Sequence, residues 1–240
     1  MKMLEFQYEQ KPQNSSEALM ISEERSKVQK MAPKAPKITP EWHANLIKEL
    51  RRKLIHITGL SVPIGIMVFG RIYTAAMIAV ALSVAVFIEA GRLSGRIKLP
   101  EVRESEKGKV AGYIYYIVGS LITVVLFQPM IALTSMLMLS LGDAISGIAG
   151  SVLENSDVRS RGKRSVKPFP IVTSMFLACL IIGYLSSRIT GLPFEVYLAG
   201  AIGATIADSV ALFIRNRGLN DNLTIPIFAG ALMSAARLMG

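Results

Sequence analysis

The sequence predicts an all-α fold: a polytopic transmembrane helical bundle of about seven spans, with its N-terminus in the cytoplasm. Three observations carry this. Apolar residues, 51% of the 240, gather in blocks with few charges, each about the 20 residues a helix needs to cross the hydrocarbon core. Lys and Arg collect in alternate connections between those blocks. The acidic residues that do interrupt the blocks all fall near the same end of them.

The spans are expected at 54–70, 72–90, 110–127, 129–149, 171–190, 196–214 and 223–239. The second and third are apolar almost throughout. The first admits His56, the fourth Asp143 and the sixth Asp208, while the seventh carries Pro226 and Arg237 near its ends. Cys179, the single cysteine, lies within the fifth, which rules out an intrachain disulfide and argues against a thiolate metal site. No apolar core precedes about Leu54, so no secretory signal is expected. Residues 1–40 read as a disordered basic cytoplasmic tail without a core of its own, and 41–240 as one integral membrane domain.

Basic residues set the orientation. Lys48, Arg51, Arg52 and Lys53 precede the first span, and Arg92, Arg96, Lys98, Arg103, Lys107 and Lys109 follow the second. Arg159, Arg161, Lys163, Arg164 and Lys167 lie between the fourth and fifth, and Arg215 and Arg217 between the sixth and seventh. The intervening connections hold only Arg71 and, nearby, Arg188. The positive-inside rule therefore places the tail and the three basic loops in the cytoplasm and the C-terminus outside. Much of the formal charge of +10 is thus a topology signal, and nucleic acid is not an expected partner.

With that orientation, the helical rise of about 1.5 Å per residue puts His56, Glu89, Asp143, Asp208 and Asp221 within about 10 Å of the cytoplasmic boundary. The outer halves of the spans contain no Asp or Glu. A translocation path would place polar groups near the midplane and on both sides. The one-sided pattern suits an enzyme whose water-soluble substrate arrives from the cytoplasm. A carboxylate within a span costs at least about 2.5–3.5 kcal/mol at the helix centre, so Asp143 in Leu141-Gly142-Asp143-Ala144 is the strongest marker of a site. Structural alternatives stand beside it: Glu89 and Arg92 are spaced to pair at a helix end, His56 suits the interface, and Asp208 suits a bond to a Ser or Thr on a neighbouring helix. Gly142, Ser146 and Gly150 form a packing stripe that explains the glycines but not the charge.

Acids facing basic loops suit divalent-metal phosphate chemistry, in which carboxylates hold Mg²⁺ and cations neutralise phosphate oxygens. Gly162-Lys163-Arg164-Ser165-Val166-Lys167 is a candidate phosphate grip, although it lacks the Walker A spacing.

In order along the chain, Arg52-Lys53-Leu54-Ile55-His56, Glu89-Ala90-Gly91-Arg92-Leu93, Arg103-Glu104-Ser105-Glu106 leading to Gly112-Tyr113-Ile114-Tyr115-Tyr116, Leu141-Gly142-Asp143-Ala144, and Asn220-Asp221-Asn222-Leu223-Thr224-Ile225-Pro226 form a series. This series resembles the CTP-dependent polyprenol kinase family, which includes dolichol kinase and phytol kinase. The resemblance runs from about Arg51 to Gly230. It implies an integral membrane kinase that transfers the γ-phosphate of CTP to the hydroxyl of a polyprenol- or dolichol-type lipid alcohol at the cytoplasmic interface. Carried over, Asp143 and Asp221 become candidate Mg²⁺ ligands, and Lys53, Lys163, Arg164, Lys167 and Asn222 candidate nucleotide-binding residues. Asp143, Asp208 and His56 become candidate catalytic residues, with Asp208 or His56 orienting the alcohol. The chain departs from the family where Lys167 runs into Pro168-Phe169-Pro170, and where Asn220-Asp221 replaces two adjacent aspartates. The alternative reading is a cytidylyltransferase making a CDP-activated lipid, which would release pyrophosphate. A small transporter fits the one-sided acids less well.

Overall fold

The computed structural model describes residues 58–97, 108–152, 167–210, 213–214 and 217–240, all within one compact unit, Lys37–Gly240. The expected tail lies outside the described residues. A 3₁₀ turn, Thr58–Leu60, leads into α1, Ser61–Leu93, followed by α2, Gly112–Leu126. Next come α3, Pro129–Leu137, one turn of π-helix, Met138–Gly142, and α4, Asp143–Val152, which run on from one another. The remaining helices are α5, Phe169–Thr190, α6, Phe194–Ser209, and α7, Asp221–Met239. The described residues also hold a two-residue antiparallel ladder of β1, Phe213–Ile214, with β2, Arg217–Gly218.

Helix falls in each of the seven stretches expected to be helical. Four of these units are long and apolar enough to cross a membrane: Thr58–Leu93, Pro129–Gly150, Phe169–Thr190 and Asp221–Met239. The first of them is broken. Gly70 has φ 77° and ψ 173°, a conformation a β-carbon disfavours, and a Cβ built on Gly65 would stand 3.2 Å from Thr74 Oγ1. In an unbroken helix nine residues rise about 13.5 Å, so the chain doubles back at Gly70 and α1 is a pair of arms. Arg71 secures the turn by donating to the carbonyls of Val124 (2.9 Å from Nε) and Val125, which lack helical partners at the end of α2.

Two helices are shorter than expected. Helix α2 has 15 residues, because Val110 and Ala111 precede its first turn and Phe127 is extended just before Gln128-Pro129. Helix α6 has 16 residues and ends at Ser209, where the expected span ran to 214. Val210 is already extended (φ −101°, ψ 124°), and the apolar run Phe213–Ile214 is strand. A short apolar run has no period that separates helix from strand, so this boundary is set by tertiary structure.

Helices α6 and α7 pack most extensively, with α5 against α6 and α2 against α7. The centre is closed by Met136, Met138, Leu139, Met175, Ile225 and Met233, each wholly buried. Outward, Ile72, Tyr73, Val80 and Phe87 of α1 are 66–80% exposed, an apolar exterior suited to lipid.

At the crossing of α2 and α7, backbones nearly touch: a Cβ on Gly119 would lie 2.7 Å from the Asn222 carbonyl oxygen. Pro226, one turn along, has no N–H to donate to that carbonyl, so the approach of α2 fills the side the helix leaves open. Gly119→Ala is expected to cost about 1–3 kcal/mol through forced separation of the two backbones. Gly200→Ala, which meets only the flexible Met233 side chain at 2.8 Å, is expected to cost less. Denaturation of both variants in detergent checks the difference.

Candidate functional site

Helix ends alternate along an antiparallel bundle, so the end of α1, the starts of α2, α5 and α7, and the end of α6 share one end of the molecule. The hydrogen bonds between them bear this out, and the polar residues anticipated for the site that lie among the described residues are at this end.

Lys167 and Asp208 form a deeply buried ion pair there. Lys167 Nζ contacts Asp208 Oδ1, and the two side chains are 9% and 0% exposed. Ser146 of α4 donates to the other oxygen, Asp208 Oδ2, at 2.9 Å. The backbone is fastened at the same place, since Lys167 N donates to the Ser209 carbonyl at 3.0 Å. The approach to α5 is thereby bound to the end of α6, and both oxygens of Asp208 are engaged. The bond anticipated between Asp208 and a neighbouring hydroxyl is present. The Lys167 ion pair, spanning 41 residues of sequence, is an addition that sequence patterning does not reveal.

Asp143 opens α4 immediately after the π turn and is 8% exposed. Single π turns recur at functional sites because they re-aim the residues around them. Asp143 and Ser146 are three apart on one helical face, so the face that reaches Asp208 is also the face of Asp143. Cys179 of α5 lies within electrostatic reach of both carboxylates. On the other side, Ser140 of the π turn and Tyr116 of α2 share a hydrogen bond of 2.9 Å between their hydroxyls, and Gly59 packs against both. The sequence assigns no site role to Tyr116 or Ser140, because hydroxyls in apolar helices are common and usually bond their own backbone.

At the start of α7, Asn220 caps the helix, its Oδ1 accepting from Asn222 N at 3.0 Å. Asn220 therefore has a local structural task. Asn222 Nδ2 donates to the Gly112 carbonyl at 3.1 Å, tying α7 to the start of α2. Asp221 lies in the first turn, half-buried, where a carboxylate is favoured by the helix dipole.

Glu89 belongs to a structural clamp. It accepts from Arg92 Nε and Nη2 at 2.7 Å each, from the Tyr113 hydroxyl at 2.7 Å and from Ala111 N at 2.8 Å. Arg92 continues to the Lys109 carbonyl at 2.5 Å. The anticipated Glu89–Arg92 pairing is thus real, and it fixes the end of α1 against the start of α2.

Lys53, His56, Lys163 and Arg164 lie outside the described residues. Among the described residues, no three of His, Cys, Asp and Glu gather closely enough to hold a metal by themselves. The carboxylates of Asp143 and Asp221 are hard oxygen donors of the kind that bind Mg²⁺.

No family model and no solved structure matches the chain. It is similar to the uncharacterized protein RP860 of Rickettsia prowazekii (strain Madrid E), 24% identical over 191 residues that cover 75% of this chain and 90% of the relative.

Proposed function

We propose that the protein is an integral membrane phosphotransferase that moves the γ-phosphate of a nucleotide, CTP by resemblance, to the hydroxyl of a polyprenol-type lipid alcohol. In this reading the chain spans the membrane about seven times, with the site-bearing end toward the cytoplasm, as the placement of its basic residues supports. The observation that carries the proposal is the meeting of Lys167, Asp208 and Ser146 on the helical face that bears Asp143. It brings an anion-binding cation and a buried acid to one end of an apolar bundle, on residues that the family resemblance also picks out.

Lys167 neutralises charge on the transferring phosphoryl group, which is the main task of a protein in phosphoryl transfer. Asp208 and Ser146 act as positioning residues: with both its oxygens engaged, Asp208 holds the ammonium in place and is not assigned to the alcohol. Asp143, with Asp221 at the same end, would hold the Mg²⁺ that accompanies the nucleotide, and the ion would supply positive charge to the phosphates. Asn222 keeps the start of α7 against α2, so that Asp221 stays at the mouth. The apolar exterior lets the lipid tail lie along the helices while its hydroxyl reaches the polar end.

The test uses purified protein in detergent with Mg²⁺, a mixture of polyprenols and other lipid alcohols, and each γ-labelled nucleoside triphosphate in turn. Label in a lipid phosphate is the expected result and names the donor. Release of pyrophosphate from CTP without label transfer would replace the kinase with the cytidylyltransferase.

A further inference from the structure

Ser209, the last residue of α6, has a side-chain oxygen that is buried and without a hydrogen-bond partner, the one such side-chain atom among the described residues. The residue is 6% exposed. Helical hydroxyls elsewhere in the bundle take the default bond to the carbonyl four residues back: Thr74, Ser83, Ser120, Thr123, Thr134, Ser135, Thr173 and Thr205 all do so, at 2.7–3.0 Å. Ser209 does not, although it is set in a comparable helix. A buried hydroxyl left unpaired is unfavourable, and such groups in a folded protein call for an occupant.

The surroundings indicate what that occupant is. Ser209 follows Asp208 in the chain, and its own carbonyl receives the Lys167 N–H. The Lys167 ammonium has three N–H donors; Asp208 Oδ1 takes one, and the other two have no partner among the described residues. Ser209 adjoins the residue that holds the ammonium, and an O–H and an ammonium that are both short of acceptors suit an oxyanion able to reach the two. The acid next to them is already neutralised by the ion pair and does not repel one.

We propose that Ser209 is a binding residue for a phosphate oxygen, donating its hydroxyl to an oxyanion that also contacts the Lys167 ammonium. The inference rests on the reading that this end of the bundle handles phosphate. It adds a residue that neither the motifs nor the charge pattern singles out. The phosphate belongs either to a nucleotide polyphosphate or to a phosphorylated lipid, and the two present the same oxygens.

The full chain in detergent, in wild-type, Ser209→Ala and Ser209→Thr forms, is titrated with inorganic pyrophosphate and, separately, with a soluble short-chain phosphatidate, following thermal unfolding. Without ligand, Ser209→Ala is expected to unfold at the wild-type temperature or somewhat above it, because the hydroxyl makes no bond to lose and its unpaired burial is relieved. With ligand, its apparent affinity falls about tenfold, as for loss of a hydrogen bond to a charged group, and Thr restores it. The ligand whose affinity falls names the source of the phosphate. Equal stabilisation of wild-type and Ser209→Ala by both ligands overturns the inference, as does stabilisation of neither protein by either ligand. Lower stability of unliganded Ser209→Ala also overturns it, by giving the hydroxyl a structural task. Label transfer is scored separately. Ser209-dependent binding without transfer leaves this site standing and removes the kinase reading. Transfer with the binding of both ligands unaltered in Ser209→Ala does the reverse.

Discussion

Asp143→Asn is expected to abolish the proposed phosphoryl transfer and to leave the protein folded. The substitution keeps the size and planarity of the side chain, so the face shared with Ser146 and the packing of the adjoining Gly142 against Cys179 and Met175 persist. What it removes is the negative charge within the span, which has a cost in the bilayer that function must justify. In the proposed reaction that charge holds the metal-bound nucleotide, and its loss is expected to lower the rate by about 10³-fold or more, about 4 kcal/mol of transition-state stabilisation. The measurement is initial-rate transfer of labelled γ-phosphate to the lipid alcohol, paired with size-exclusion and thermal unfolding in detergent. An Asn variant that unfolds at the wild-type temperature or slightly above it, and transfers no label, is the expected outcome. One that transfers label at the wild-type rate removes Asp143 from the chemistry.

The sequence makes the helices legible wherever apolar blocks are long and bounded by punctuation. The Gly70–Arg71 break, the Gln128–Pro129 boundary and the Asn220 entry to α7 each coincide with a residue whose backbone or side-chain chemistry stops or starts a helix. The end of α6 at Ser209 is not marked in this way, because Ser209-Val210 carries neither glycine nor proline and the apolar run continues beyond it. The π turn is equally silent: Met138-Leu139-Ser140-Leu141-Gly142 has an ordinary helical composition, and its extra residue is accommodated by packing around it. For the site, depth along the helices groups Asp143, Asp208 and Asp221 at one end. Which of them pair is decided by helix rotation and by contacts between residues 41 to 110 positions apart, as for Lys167–Asp208 and Asn222–Gly112. A period of 3.6 cannot express such pairings. Glu89 shows the converse in part, since its local spacing suggests the Arg92 pair but not the Tyr113 and Ala111 bonds that complete the clamp.

The Lys167–Asp208 pair carries the other large effect, and a cycle of variants separates its structural share from its functional one. Both side chains are nearly inaccessible to water, so removing one partner strands a desolvated charge. Lys167→Met or Asp208→Leu alone is expected to destabilise the fold by about 3–5 kcal/mol. The double variant Lys167→Met with Asp208→Leu buries apolar groups of similar volume and strands no charge, so it is expected to recover most of that loss, as replaced buried ion pairs commonly do. Transfer follows a different pattern. In all three variants the ammonium or its holder is gone, and activity stays low even where stability returns. The check is thermal or chemical unfolding of the four proteins in one detergent, with transfer assayed below the lowest unfolding temperature. A double variant that regains both stability and transfer would make the pair a packing device and take Lys167 out of phosphate handling. One that regains stability alone ties the cation to the reaction, because nothing else in the cycle separates a folded bundle from a working one.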